Sequence, residues 1–477
     1  MKKIGLVTIL VLISFATMSQ QKRILSLQEC IEIAVENNLS VQRSELNLQS
    51  AEVNLLQSQA QRYPTLNANG NYGYNWGRGI DPTTNQFTTQ RINFNGVSAS
   101  SSMPIINGLQ TTNSIKQSKL NRDASQYDLK KSINDISLNT ALNYLNVIFN
   151  KELLENAKFQ LESSQQQLDR TKKLVESGAL PISNELQLVS QVATNEVALV
   201  NAQNNLDLAL LALKQSLLLQ PGQEIDIEIP EIDIDQAEIE NSRIIDIYNE
   251  ALSQMPEIQS ADLRVKSADL GLDVSKGGMF PTLNLSGSMS TNYSDAFKDF
   301  AIINATPSGL SPTVFETASG EAIFEQEFDF ELQESTVPLS TQYDNNLSKR
   351  LTLSLNIPIM NGFRTRSDIQ RSKIALQQAE IASTEQRNIL YQTIESSYRN
   401  AVAAAKTFSA SQRQVESLEE TFRAVENQYN NGAANFTDYQ VASNNLFQAR
   451  TDLSRAKYDF VFKQKVLEFY QGKALTF

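Results

Sequence analysis

The chain has 477 residues, with 41 Lys and Arg against 53 Asp and Glu, and a formal net charge of -12. That balance argues against a polyanion such as nucleic acid as the main partner. One cysteine, Cys30, and no histidine exclude a disulfide framework and a thiolate metal cluster, and remove the commonest general base and metal ligand. With 18 Gly, 12 Pro and 41% hydrophobic residues, the composition predicts long amphipathic helices with few turns.

The opening MKKIGLVTILVLISFATMSQQ places Lys2 and Lys3 before an apolar stretch from Ile4 to Phe15, with Thr17 and Ser19 at the minus-three and minus-one positions of a cut after Ser19. Residues 1–19 read as a secretory signal peptide. The competing reading, an uncleaved anchor helix, needs ~20 apolar residues, more than this stretch supplies. Cys30 follows Glu29 well beyond the stretch, where a lipidation site would want a small residue, so it reads as an ordinary helix position. No later run reaches ~18 apolar residues, so any membrane crossing has to be a barrel of alternating strands.

The chain is written twice. QRYPTLNANGNYGY at 61–74 matches GMFPTLNLSGSMST at 278–291, with Pro64 and Pro281 at an offset of 217. MPIINGLQTTNSIKQSKL at 103–120 matches IPIMNGFRTRSDIQRSKI at 357–374, and VESGALPISNEL at 175–186 matches YNNGAANFTDYQ at 429–440, both at an offset of 254. The jump of 37 residues falls between Pro281 and Pro358, so the second copy carries an insertion there. The repeats are assigned to 20–220 and 244–477, joined by an acidic segment at 221–243.

Between Pro64 and Pro104 the apolar period becomes two: Leu66, Ala68, Tyr72, Tyr74 and Trp76 oppose Thr65, Asn67, Asn69, Asn71 and Asn75. This predicts a strand with one apolar and one amide-lined face. In the partner segment Ile92 and Phe94 share one parity while Val97, Ala99 and Met103 share the other, which predicts a bulge near Gly96. The second copy repeats the pattern between Pro281 and Pro358: Leu283, Leu285, Met289 and Tyr293 oppose Asn284, Ser286, Ser288 and Asn292, and Leu351, Leu353, Leu355 and Ile357 oppose Thr352, Ser354 and Asn356. A soluble sandwich also alternates. Here the amide and hydroxyl faces suit a water-filled lumen, and the aromatics gather at the loop ends as an interfacial girdle would. Four strands cannot close a membrane barrel, so the barrel has to be shared between subunits.

From Gln110 to Ser177 and from Arg364 to Asn431 there are 68 residues without Pro or Gly, each able to span about 100 Å as a helix. Val415, Leu418, Phe422, Val425 and Tyr429 are spaced 3, 4, 3, 4, and Leu161, Ser164, Leu168, Thr171 and Val175 repeat the spacing with weaker apolarity, as a coiled-coil seam does. Each rod breaks at a glycine, Gly178 or Gly432, and resumes as a second helix, predicting helical hairpins with tips there. The acidic stretch between the repeats reads as an exposed edge strand or linker, and the acidic insertion at 294–346 as a long polar outer loop. No P-loop, G-x-G-x-x-G or G-x-S-x-G motif occurs, so neither an enzyme nor a cofactor is expected. A transport conduit and a structural or adhesive coiled-coil trimer remain. Strands embedded midway in both repeats favour the conduit, because every helix then leaves the membrane on one side.

The duplicated PTLN (Pro64, Pro281), the duplicated PI-x-NG (Pro104 to Gly108, Pro358 to Gly362) and the tips SGALPISNEL and NGAANFTDYQ together resemble the TolC-like outer-membrane efflux protein family over essentially the whole mature chain. The resemblance implies a mainly α chain with membrane β. Three copies would form a 12-stranded barrel in outer-membrane lipid, continuous with a periplasmic α-helical barrel. It also implies tips that close the channel and dock a periplasmic adaptor linked to an inner-membrane transporter. Pro64, Pro104, Pro281 and Pro358 would mark helix–strand junctions. Gly178, Ala179, Leu180, Gly432, Ala433 and Ala434 would form the docking tips, and Asp438, Tyr429, Ser183 and Asn184 the periplasmic gate. Two positions depart from the family's gate: Ala434 stands where an arginine is expected and Val441 where a second aspartate is, so the resemblance does not imply a salt-linked lock here.

Overall fold

The computed structural model of the chain describes residues 23–80, 85–89, 91–230, 243–473 and 475. The signal peptide expected at 1–19 and most of the acidic segment expected at 221–243 lie outside them. Strand β1 (Arg23–Leu25) leads into α1 (Leu27–Asn37) and α2 (Leu39–Ala60); then come β2 (Thr65–Asn75), the short β3 (Gly79–Ile80) and β4 (Phe87–Thr88), β5 (Ile92–Asn107), and the helices α3 (Gln110–Glu176) and α4 (Ile182–Ser216). β6 (Ile225–Ile227) follows, and the second repeat runs α5 (Ile244–Gln254), α6 (Pro256–Gly277), β7 (Thr282–Ser294), β8 (Lys298–Glu316), β9 (Ala322–Thr336), α7 (Leu339–Asn345), β10 (Ser348–Asn356), α8 (Arg364–Asn430) and α9 (Phe436–Tyr470). The duplication is kept to the residue: α3 and α8 are each 67 residues long, α4 and α9 each 35.

The chain divides into two compact units, one built from residues up to Leu55, Gln117–Asp269 and Lys373 onward, the other from Leu56–Lys116 and Leu270–Ser372. In the first, α1 starts at a capping box: the Ser26 N–H donates to Glu29 Oε2 at 2.9 Å and the Glu29 N–H donates back to Ser26 Oγ at 3.3 Å. Its apolar face, Leu27, Cys30 and Ala34, packs into a core with Tyr144, Val147, Ile148, Leu213, Leu217 and Tyr458. α5 repeats this role in the second copy, burying Ile247 and Ala251 against Leu390, Ile394, Ala401 and Phe460. α6, poor in apolar residues, is strapped by polar groups. Ser260 and Arg264 both donate to Asp128 of α3, while Asp262 accepts from Ser383 and from Arg387 of α8, both Arg387 bonds at 2.7 Å. Within the described part of the acidic inter-repeat segment, β6 pairs in parallel with β1. Two side chains of α3 hold the pair: the Tyr144 hydroxyl donates to Glu228 O at 2.6 Å, and Lys151 meets Asp226 at 2.5 Å and donates to Ile227 O at 3.0 Å. Cys30 is fully buried here, and burial pushes its thiol up to about 12.

The second unit centres on a four-stranded antiparallel sheet in the order β10-β7-β5-β2. Each repeat supplies a pair, β2 with β5 and β7 with β10, and β5 joins β7 at the seam. The β2–β5 register runs unbroken from Thr65↔Ser102 to Asn75↔Ile92, so the bulge expected near Gly96 is absent. The parity switch has another cause: on the polar face near the hairpin-loop end, Phe94 lies across Gly73, whose added Cβ would meet the ring at 3.0 Å, and Ile92 is buried beside it. The irregularity sits between Pro104 and Ile106, against β7. Pro104 has no N–H for the ladder, and β5 resumes beyond it because Ile106 and Asn107 find Leu283 and Thr282. Pro358 lies past the end of edge strand β10, while Pro64 and Pro281 stand immediately before β2 and β7.

The insertion expected as a polar loop is instead a hairpin: β8 and β9 pair from Lys298↔Thr336 to Glu316↔Ala322. Its root is clamped by α7. Gln342, 1% exposed, donates to Ser294 O at 2.9 Å and Val337 O at 3.0 Å and accepts the Ser294 N–H at 3.0 Å. Asn346 donates to Asn292 O, and the Tyr343 hydroxyl reaches Asn95 Oδ1 at 2.6 Å.

Candidate functional site

The two helical tips are built alike. After α3, Gly178 takes a φ of 77°, its N–H donating to Val175 O and the Ala179 N–H to Leu174 O; after α8, Gly432 takes 76°, with Gly432 N–H to Tyr429 O and Ala433 N–H to Gln428 O. This is the Schellman arrangement, which needs the left-handed residue that glycine supplies without a Cβ penalty. Gly178, Ala179, Gly432 and Ala433 are exposed, and Leu180 and Ala434 half-buried. α4 starts behind Pro181, whose carbonyl accepts the Asn184 N–H at 3.1 Å. α9 starts at Asn435, whose side chain accepts the Asp438 N–H at 2.9 Å.

Behind the second tip lies an aromatic cluster. Tyr429 stacks on Tyr439 with centroids 5.1 Å apart and meets Phe436 at 6.1 Å, and Phe422 reaches Tyr439 at 5.6 Å. Leu188 and Leu168 of the first hairpin complete it, so the cluster joins the two hairpins of one chain. Burial pushes the Tyr439 phenol up to about 12, with Glu426 adding to the rise. The Tyr429 hydroxyl is buried without a hydrogen-bond partner among the described residues. The aligned positions in the first repeat are Val175, Ile182 and Glu185, so the aromatic layer belongs to one repeat alone. Above it runs a polar layer. Asn195 donates to Ser164 Oγ at 2.9 Å, Gln440 donates to Gln191, and Gln160 donates to Ser443 at 3.3 Å. These side chains explain why the first seam is less apolar than the second: Ser164 and Thr171 are buried there as small groups. At the tip, Arg170 donates to Asn430 Oδ1 at 2.7 Å.

Of the four residues expected at a gate, Tyr429 lies in the cluster, while Asp438 and Ser183 are exposed and Asn184 is half-buried. Among the described residues no ion pair or side-chain hydrogen bond joins the last three. Sequence reasoning missed Tyr439. Its signal was the spacing Phe436, Tyr439, Ala442, Leu446, Ala449 along α9, every member of which is buried.

The sheet supplies the second element. The register puts Leu66, Ala68, Tyr72, Val97, Ala99, Leu285, Met289, Leu351, Leu353 and Leu355 on one face, and Asn67, Asn69, Asn71, Ser98, Ser100, Ser286, Ser288, Thr352 and Ser354 on the other. The apolar face is bare in the single chain, with Leu66 and Leu351 each 78% exposed. Arg350 is the one charged side chain on the polar face of these four strands. β2 and β10 each pair on one side only. Among the described residues no helix is long and apolar enough to cross a membrane.

A family profile described as "Outer membrane efflux protein" matches residues 30–217 and 247–472. The outer membrane protein TolC of Escherichia coli (strain K12) is 23% identical over 474 residues, covering 97% of this chain and 85% of that protein. Two crystal structures share the fold. The outer membrane protein VceC of Vibrio cholerae superposes with a TM-score of 0.69 at 15% identity, covering 94% of this chain and 97% of that one. The CmeC outer membrane channel of Campylobacter jejuni gives 0.70 at 15% identity, covering 94% and 87%.

Proposed function

The chain belongs to the outer membrane efflux protein family, and from that premise we propose how its parts divide the work of an export conduit. It is the outer-membrane component of an efflux system, working with a periplasmic adaptor and an inner-membrane transporter. Three copies each contribute four strands to a 12-stranded barrel, and the helical hairpins form an α-barrel in the periplasm. The observation that carries this reading is the sheet: an apolar face suits lipid, an amide and hydroxyl face suits a water-filled lumen, and two open edges require neighbours. The chain catalyses no covalent step; its relatives are channel proteins, and it passes cargo along a wetted surface.

The tips act as gate and docking site. In support, both glycine turns are exposed, and the aromatic cluster behind Gly432 ties the second hairpin to the first. Asp438, exposed at the first turn of α9, would face its two copies at a closed tip, where like charges repel. With Ala434 in place of a compensating cation, closure rests on packing of Tyr429, Phe436 and Tyr439. Ser183 and Asn184 occupy the corresponding turn of the first hairpin, and residues 1–19 are the leader that directs export of the chain.

The test is the mass of the purified protein in detergent, followed by reconstitution into planar bilayers. Three chains per particle and discrete conductance steps are expected. A stable, soluble monomer without conductance would overturn the reading.

A further inference from the structure

The β8–β9 hairpin is amphipathic to a degree that its place in the fold does not require. The register puts Ile302, Leu310, Phe324, Phe328, Phe330 and Leu332 on one face, each between 44% and 59% exposed in the single chain. The opposite face carries Glu325, Glu327, Asp329 and Glu331, with Ala301 near the root and an apolar pair, Phe315 with Ile323, next to the turn, while Glu334 and Glu316 stand at the two ends of the apolar face. The clamp of Gln342 on Ser294 and Val337 fixes where the hairpin leaves the sheet. β7 has by then run 13 residues, enough to cross a bilayer as a tilted strand of about 9–11 residues. The apolar face therefore projects beyond the lipid, into water, with nothing among the described residues of its own chain covering it.

We propose that the hairpins of the three chains cover one another, apolar faces inward and acidic faces outward, as a cap above the outer mouth of the barrel. The inference rests on the trimeric reading above. Three arguments select the other copies as the occupant. The hairpin is continuous, through β7 and α7, with the sheet whose edges already join neighbouring chains. The acidic faces repel one another, so two copies can meet only through the apolar side. And the reach suffices: strands about 4.8 Å apart and tilted by about 40° give a twelve-stranded barrel a radius of about 12 Å, while a strand of 15 residues extends about 50 Å.

Neighbouring positions on β9 point to opposite faces, which makes the test internally matched. Single cysteines at Phe328 and Phe330, and separately at Asp329 and Glu331, are introduced into the full chain in the outer membrane of intact cells. They are then exposed either to an oxidant or to a membrane-impermeant maleimide. Phe328→Cys and Phe330→Cys should form chain-to-chain disulfides and resist the maleimide at least tenfold relative to Asp329→Cys and Glu331→Cys, which should label and stay uncrosslinked. Equal labelling of both faces would show a bare hairpin and overturn the proposal. Protection without crosslinking would assign the face to lipid or another protein and overturn it equally. A native gel of the unmodified protein separates the two levels of inference. A trimer without hairpin crosslinks defeats the cap alone, and loss of the trimer defeats both.

Discussion

Replacing Tyr429 separates two ways of holding the tips shut. Its ring makes two aromatic contacts, to Tyr439 at 5.1 Å and to Phe436 at 6.1 Å, each worth ~0.5–1.5 kcal/mol. Its hydroxyl has no partner among the described residues. If opening breaks only the contact to Tyr439, Tyr429→Ala removes about 1 kcal/mol from the closed state per chain and about 3 kcal/mol per trimer. At 1.4 kcal/mol per factor of ten, that shifts the closed-to-open ratio roughly 100-fold. Tyr429→Phe keeps both rings and removes only an unsatisfied hydroxyl, so it should be neutral or slightly stabilising. Resting conductance in planar bilayers, recorded on preparations checked for intact trimers, reads the difference: Tyr429→Ala should raise it and Tyr429→Phe should leave it at the wild-type level. Equal opening in both variants would mean that the hydroxyl bonds across chains in the assembly, and the packing argument would fail. No change in either would place the constriction elsewhere.

Reversal potentials in a salt gradient should respond in opposite directions to two charge removals, Asp438→Asn weakening cation preference and Arg350→Gln strengthening it; a shift of the same sign in both would refute the assignment of these residues to the conduit. Gly108 and Gly178 both have positive φ, but a Cβ on Gly108 would lie 2.3 Å from the Gly277 carbonyl oxygen while one on Gly178 meets nothing. Gly108→Ala should therefore abolish folded trimer, and Gly178→Ala should lower its thermal stability by only about 1 kcal/mol per chain, as read by heat resistance on gels. In intact cells an impermeant thiol reagent should reach a cysteine placed at Gly320 but not one at Gly432, and labelling of both would invert the topology. In the purified native protein Cys30 should stay unreactive toward a thiol reagent at pH 8, because burial pushes its thiol up to about 12, and should react once the chain is denatured.

The parts that were legible in the sequence are those whose physics is local. Proline and glycine punctuate both repeats, period-two alternation marked β2, β7 and β10, and the tip glycines stand where a helix must end in a left-handed residue. The N-G pair of each PI-x-NG motif proves equally local. Asn107 and Asn361 each donate to the threonine four residues on, Thr111 or Thr365, at 2.6 Å, and Gly108 and Gly362 take φ near 60°. What escaped is non-local or broken in phase. The pairing of β1 with β6 joins segments some two hundred residues apart in a parallel strip of three residues, too short to leave a period. β8 loses its alternation to three register shifts, and the acidic composition of the insertion masks the regular alternation of its partner β9, AIFEQEFDFELQEST. The aromatic layer at the tip was half-read, because Tyr429 belonged to a visible seam on α8 whereas Tyr439 owes its burial to residues of three other helices.

The clamp at the root of the β8–β9 hairpin also bears on how such a surface can change over generations. The Val337 N–H donates to Phe297 O, and Lys298 reaches the Thr336 hydroxyl at 2.8 Å, so the hairpin begins and ends at a single point. A segment whose termini meet can lengthen, shorten or be exchanged with little added cost in loop entropy, while Gln342 keeps the strands beneath it in place. In the topology proposed above, the hairpin is thus a cassette anchored at one point, and its turn at Gly320 offers a position for displaying a foreign peptide at the cell surface.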